Sequence, residues 1–441
     1  MYDYFYMTRA RDGYLVFFAV AALITVFLFF LNVFLGPTYG GDSEWYIAAA
    51  NGRLNELIEP YSTRFLHPFL VGWISHQLPL DIHQTFLVVT VASVFLFMIV
   101  NVFLLKDTVR SPFLLIPLFF LPYFFATLRE IFQPDAFYIL LTALFFLLLR
   151  YKMEGGCLVT LFLLFLARES TMLLGLIFAA IGWLRSKKFL AITAIGVVMI
   201  SLYTMGVMRN AGQPNIHHLS TPVYMVFKFS YNSMTNVLGL KPWINTHSNC
   251  EPAFRFRLPP LKSLGSVREV GFCGFDLSLP AQTIITLLTT FGIAPLVLFY
   301  VLRKRKGIIR SFPFWMLIAL IYGIAHYFIG VAAGTGVQRL VGYGWPAFLV
   351  VVPILIQKLF EADKKIILKL SLVHLFVAWL PLLTYRMNGD TAGSAMFIIF
   401  LAMGAYCYAF RIIKEQKMIE IDVARLPGAE TNVSAKSLCS G

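Results

Sequence analysis

Charged side chains are scarce in this sequence, and those on the segments assigned below to the outer side, several of which flank or interrupt apolar runs, are the first candidates for chemistry. They are Asp42, Glu44, Arg53, Arg64, Arg129, Glu130, Asp135, Arg168, Glu169 and Arg339, with the amide Gln338 beside the last. A charge next to hydrocarbon is costly and is retained where it is paired or functional. Carboxylates and arginines gathered at one membrane face suit an anionic substrate handled by a general base. The carboxylate can take a proton from a hydroxyl, and a guanidinium fork matches anionic oxygens. Plain structural roles compete at each position. Asp42 can cap a helix that begins after it, with Tyr46 one turn on along the same face. Arg168 and Glu169 can neutralise each other, and Arg64, Arg129 and Arg339 can reach headgroups from the ends of apolar runs. His67, His76, His83 and His217–His218 have neither cysteine partners nor regular helical spacing, so no metal site is expected.

The elements that must hold these residues follow from composition. The chain is 59% hydrophobic and 13% charged, with a mean hydropathy of +0.76. That is roughly half the charge of a soluble domain. No soluble core needs so many apolar side chains, so the bilayer is the solvent for most of them. The run Tyr14–Leu35 is too long for the apolar core of a signal peptide and lacks a small-residue cleavage site after it, so it reads as a first span. The net charge of +14 arrives in short clusters between apolar runs, which fits loops that fix topology rather than nucleic-acid binding. No phosphate-binding glycine loop, internal repeat or soluble catalytic domain is visible, and no cofactor is expected.

Further apolar runs are Ile82–Leu105, Pro112–Thr127, Ala136–Leu149, Cys157–Leu184, Phe189–Val207, Ala281–Leu302, Phe312–Ala332, Ala347–Phe360, Ile366–Leu383 and Ala395–Phe410. Arg9 and Arg11 set the N-terminus inside. The run Cys157–Leu184 is apolar except for Arg168, Glu169 and Ser170 at its middle. As one span it would carry Arg185–Lys188 and Arg303–Lys306 outside; as two short helices meeting at Arg168–Glu169 it brings both clusters inside, which the positive-inside rule favours. The expectation is an all-α polytopic membrane protein, N-in and C-in, with about 12 transmembrane spans or part-spans. Residues 1–411 form one membrane domain, with a first external loop over 36–81 and a long external loop over 208–280; 412–441 is a cytoplasmic tail. Within the first loop, Leu66–Leu78 reads as an interfacial helix. Within the long one, the apolar stretch Pro222–Leu240 can lie on the membrane as a lid or platform. Cys250 and Cys273 share that loop and would pair in an oxidising compartment.

The first external segment carries Gly40-Gly41-Asp42-Ser43-Glu44-Trp45-Tyr46 and then Pro60-Tyr61-Ser62-Thr63-Arg64-Phe65-Leu66-His67-Pro68. With the turn Leu166-Ala167-Arg168-Glu169-Ser170-Thr171 and the segment Gln338-Arg339-Leu340…Trp345-Pro346, this order resembles the GT-C superfamily of polytopic membrane glycosyltransferases. The likeness covers most of Met1–Gly342 in topology; its motifs are short, and Ser43 separates the two acidic residues that often stand together in the family. The resemblance implies inverting transfer of a sugar from a polyprenyl-phosphate donor to a glycan, lipid or protein acceptor at the extracytoplasmic face. It makes Asp42 the base, with Glu44 or Asp135 as substitutes, and Arg339, Arg168 and Arg64 the donor-phosphate ligands. Tyr46, Arg129, Glu130, Glu169 and Gln338 would orient substrates, among membrane lipids of an inner or plasma membrane. A transporter or flippase, an O-antigen polymerase or ligase, and a non-catalytic assembly subunit are the competing readings.

Overall fold

A computed structural model describes residues 18–415 except 28, 31–32, 35, 37–41, 107, 110–113, 115–119, 121–129, 216, 247–249, 306, 335, 360–363 and 382–390. Arg9, Arg11, Gly40, Gly41, Arg129, nearly all of the run Pro112–Thr127 and the tail from residue 416 therefore lie outside the described residues. The chain is predominantly helical. Four helices are long and apolar enough to cross a membrane, or five if one bent pair counts as a span.

After an apolar helix α1 (Phe18–Phe27), the short α2 (Ser43–Ala50) and α3 (Leu66–Gln77) lie between it and the next long helix. Exposed Phe69 and Trp73 on α3 fit a helix lying at a membrane interface. The long α4 (Ile82–Leu105) starts with a reciprocal cap: the Asp81 carboxylate accepts from the Gln84 amide at 2.8 Å, and the Gln84 side chain accepts from the Asp81 amide. It packs along α5 (Asp135–Arg150).

The broken run resolves into α6 (Glu154–Ala167) and α7 (Thr171–Leu184). Arg168 between them is extended, and Thr171 Oγ1 donates to the Arg168 carbonyl at 2.8 Å. The two helices form a hairpin. At its base Lys187 Nζ lies 3.4 Å from Glu154 Oε1, while Arg168–Ser170 form the tip. The next helix, α8 (Lys188–Ala211), returns alongside α7, with Gly182 facing Ala191 and Gly175 facing Val198.

The long loop departs from the all-α expectation. It holds α9 (Thr221–Leu238), then a three-stranded antiparallel sheet of β1 (Leu240–Ile244), β2 (Phe254–Arg257) and β3 (Glu269–Phe275) in the order β1-β3-β2. Cys250 and Cys273 are joined by a disulfide across this unit, with Cα atoms 6.0 Å apart. The sheet was hidden because its strands are short and carry no clear one-face alternation; β2 is exposed throughout.

The expected single span Ala281–Leu302 is instead a pair, α10 (Ser278–Thr289) and α11 (Ala294–Lys304), bent by 70°. Gly292 between them has φ +49°, and a Cβ there would meet the His374 carbonyl oxygen at 2.7 Å. Both the left-handed backbone and the close approach require glycine. Helix α12 (Phe314–Ala333) leads to the short α13 (Val337–Gly342), which lies against it at Gly330. A π-helical turn over Pro346–Val351, α14 (Val352–Leu359), α15 (Lys364–Trp379) and α16 (Thr391–Glu415) complete the described chain. In lipid, helices associate by close packing more than by hydrophobic burial, and the centre is packed accordingly. Fully buried Trp345 meets Phe97 and Phe146 edge-on, at centroid distances of 4.9 and 6.2 Å.

Basic loops gather at one end of this bundle. Arg150 donates to the Leu104 carbonyl, Lys187 meets Glu154, and Arg185 Nη2 lies 3.2 Å from the carbonyls of both Arg310 and Phe312. Asp42, Arg64, Asp135, Arg168, Glu169 and Arg339 stand at the other end.

Candidate functional site

Asp42 occupies the position before α2, yet its side chain makes no capping hydrogen bond, because its backbone is already helical (φ −82°, ψ −15°). The capping role is corrected by the partners it does have. Tyr61 Oη donates to Asp42 Oδ1 at 2.6 Å, and Gln133 Nε2 lies 3.4 Å from Oδ2. Tyr61 sits on the turn after Pro60 and is backed by Trp45, stacked at 6.1 Å, and Tyr46, edge-on at 5.6 Å. Burial, reinforced by the bond to Asp42, holds the Tyr61 hydroxyl well above its ordinary range, so it stays a donor.

Arg168 and Glu169 do not neutralise each other. Glu169 takes Arg64 in a two-point pair, with Arg64 Nε 2.7 Å from Glu169 Oε2 and a second bond from Nη2 to Oε1. Burial works against the Arg64 charge, but Glu169 overrides it and the guanidinium is held more firmly protonated than usual. Arg64 Nη1 also donates to Tyr46 Oη at 3.1 Å. Tyr46 is fully buried and holds Arg64 rather than facing a substrate. Arg168 pairs with Asp135, which also accepts from Tyr343 Oη. Arg339 completes the chain of charges, with Nη1 2.6 Å from Glu130 Oε2 and Nε 3.2 Å from Asp135 Oδ2. Gly330 lets α13 bring Arg339 in: a Cβ there would lie 2.6 Å from the Val341 nitrogen.

A cavity of about 320 Å³ opens above this network, and Asp42, Arg64, Arg168, Glu169 and Arg339 all line it. Two expected substitutes for the base do not. Glu44 is exposed on α2, two positions on from Asp42 and outside the cavity lining. Asp135 is 1% exposed; Arg168 and Tyr343 both donate to its Oδ1, and Arg339 Nε lies 3.2 Å from its Oδ2, so it is enclosed by the network beneath the cavity. Glu130 and Gln338 are also absent from the lining. Glu130 acts through Arg339, and Arg129 lies outside the described residues.

Sequence reasoning missed the α9 wall of the cavity. Tyr224, Phe227, Lys228, Tyr231 and Asn232 of α9 line the cavity, together with His217 and Ser170. Their three- and four-residue spacing marks one face of a helix, while Met225, Val226, Phe229 and Val237 of the same helix are exposed. That alternation was the available signal. His67 is buried between Phe86 and Phe137, and burial lowers its pKa to about 4. Among the described residues, no three His, Cys, Asp or Glu side chains converge as metal ligands.

The arrangement can therefore present one carboxylate, held by neutral donors, to a hydroxyl, in a cavity also lined by Arg64, Arg168, Lys228 and Arg339. Comparison with protein-family models gives no match, and comparison with the curated proteins gives none.

Proposed function

We propose that the chain is a membrane glycosyltransferase of the GT-C kind, moving a sugar from a polyprenyl-phosphate donor to a glycan, lipid or protein hydroxyl. The observation that carries this reading is the shared cavity. Asp42 comes from the first external segment, Arg168 and Glu169 from the tip of a broken hairpin, and Arg339 from α13, and all line it. The opposed placement of the basic loops supports a site on the extracytoplasmic face, with N-in and C-in termini and about twelve spans or part-spans. A cavity at one end of the bundle, rather than at its middle, favours transfer chemistry over transport, whose sites lie near the midplane.

In this mechanism Asp42 takes the proton of the acceptor hydroxyl as its oxygen attacks the anomeric carbon. The bond from that carbon to the lipid phosphate oxygen breaks on the opposite face, so configuration inverts. The electron pair leaves with the phosphate, which needs positive charge rather than a proton. Tyr61 aims the Asp42 carboxylate and leaves its outer lone pairs for the acceptor. Arg339, 19% exposed beside Glu130, offers a guanidinium edge to phosphate. Arg168, 5% exposed, positions Asp135.

Asp42→Asn tests the reading in detergent or liposomes with a panel of polyprenyl-phosphate sugars. Turnover is expected to fall by the ~100- to ~10,000-fold typical of losing a general base. Arg339→Ala is expected to weaken donor binding instead. Normal turnover in Asp42→Asn would remove Asp42 from the mechanism; normal turnover in both variants would count against this cavity as the active site, and no transfer by the wild type from any donor of the panel would count against the transferase.

A further inference from the structure

The ion pairs around the cavity leave one cation over. Arg64 is matched to Glu169, Arg168 to Asp135, and Arg339 to Glu130 and Asp135. Lys228 also lines the cavity, and among the described residues no carboxylate lies within ion-pair distance of it; its ammonium sits 6.0 Å from the ring of Tyr224, one turn back on α9. Asp42 is the complementary case: its partners Tyr61 and Gln133 are neutral. The cavity therefore faces one unmatched carboxylate and one unmatched ammonium.

The helix that carries Lys228 is two-sided. Its cavity face holds Tyr224, Lys228, Tyr231 and Asn232. Its outer face exposes Met225, Val226, Phe229 and Val237, which are 47–68% accessible. A helix with this division lies in the membrane interface, apolar side toward acyl chains. A ligand whose tail stays in the bilayer and whose head carries phosphate would meet Lys228 on the way from lipid to the cavity.

Resting on the transferase reading for its ligand class, we infer that Lys228 is a further phosphate-binding cation of this site beside Arg339, and that α9 is the wall along which a lipid-borne phosphate enters. Arg64 and Arg168, enclosed with Glu169 and Asp135, then hold the cavity's shape. Burial, and after it the charge of Arg64, lowers the Lys228 pKa, while Glu169 raises it and Arg168 and Asp42 act more weakly in opposite directions. Phosphate at this position would restore the favour for the charged amine, so binding should weaken as pH rises through the lowered Lys228 pKa.

The test is equilibrium binding of farnesyl phosphate to the purified full chain in detergent, with farnesol and inorganic phosphate as separate arms. Lys228→Gln is expected to weaken farnesyl phosphate binding by ~10- to ~100-fold, the size of one charged hydrogen bond. Lys228→Arg should restore most of the affinity and shift the alkaline limb of the pH profile upward, which a merely structural role would not do. Arg255→Gln, on the exposed β2 strand, should bind as wild type does. Equal affinity in Lys228→Gln and wild type would overturn the inference, as would wild-type chain that binds no phosphate probe. Inorganic phosphate binding with the same affinity as farnesyl phosphate would overturn the lipid-borne part. Lys228-dependent binding without sugar transfer from any polyprenyl-phosphate donor would uphold Lys228 and count against the transferase instead.

Discussion

Asp135→Asn probes the charge network where it is most enclosed. The Asp135 side chain is 1% exposed and its partner Arg168 5% exposed; Tyr343 and Arg339 close the remaining sides. Asparagine keeps the shape but leaves two guanidinium groups facing a neutral amide. Removing one member of a buried pair costs about 3–5 kcal/mol, because the other charge stays desolvated and unmatched. At 1.4 kcal/mol per decade, that is a roughly 100- to 4,000-fold shift in the unfolding equilibrium. Unfolding in mixed micelles titrated with SDS would measure it. Glu56→Gln supplies the scale: its pair with Arg53 is about half exposed on both sides, and its loss should cost under ~0.5 kcal/mol. The double variant Asp135→Asn with Arg168→Met should recover part of the loss, with a coupling of about 1–3 kcal/mol. A cost for Asp135→Asn no larger than that for Glu56→Gln would refute the reasoning. So would a double variant whose loss is the sum of the two singles.

Glu130 should behave in the opposite sense. Burial raises its carboxyl pKa in spite of Arg339, so the ionised form is a liability of the fold at neutral pH that fades as pH falls toward the ordinary carboxylate range. Thermal unfolding from pH 4 to 8 should find Glu130→Gln at least as stable as wild type at pH 7, with the difference closing in acid; a less stable variant at pH 7 would reverse the argument. Gly330→Ala should cost about 1–3 kcal/mol by overpacking, since its Cβ meets the Leu340–Val341 backbone, whereas Gly196→Ala on α8, with open space around it, should be neutral or stabilising. Equal effects in the two would mean that α13 yields freely. For topology, an impermeant thiol reagent applied to intact cells should label Arg255→Cys and leave Lys187→Cys unmodified; labelling at 187 would invert the proposed orientation.

How much of this was legible in the sequence varied with distance along the chain. Local patterns were read well: Ile82–Leu105 is a helix with those bounds, and the break at Arg168–Ser170 follows from three polar residues inside an apolar run. That Asp42, Arg64, Arg168, Glu169 and Arg339 line one cavity also agrees with their expected gathering at one face. Who pairs with whom was not legible. Arg64 and Glu169 are 105 residues apart and Arg339 and Glu130 are 209 apart, and no local rule selects one carboxylate over another. Glu44 was a candidate because it lies two residues from Asp42, but helix positions two apart face different ways. Lys228 was overlooked because the stretch around it is apolar and aromatic on average, and only its angular distribution separates the two faces. The bend at Gly292 depends on the approach of His374, a contact between distant segments.

The pairing at the hairpin tip also has an order in time. Synthesis runs from the N-terminus, so Arg64 has left the ribosome before Glu169, and Asp135 before Arg168. Both charges on the tip therefore arrive in a membrane that already holds their complements, and two short apolar helices can insert with their polar turn neutralised on arrival. Arg339 comes last, to Glu130 and Asp135 already in place. Each cation–carboxylate contact of the network is closed by its later member, and the cavity is finished only when α13 emerges.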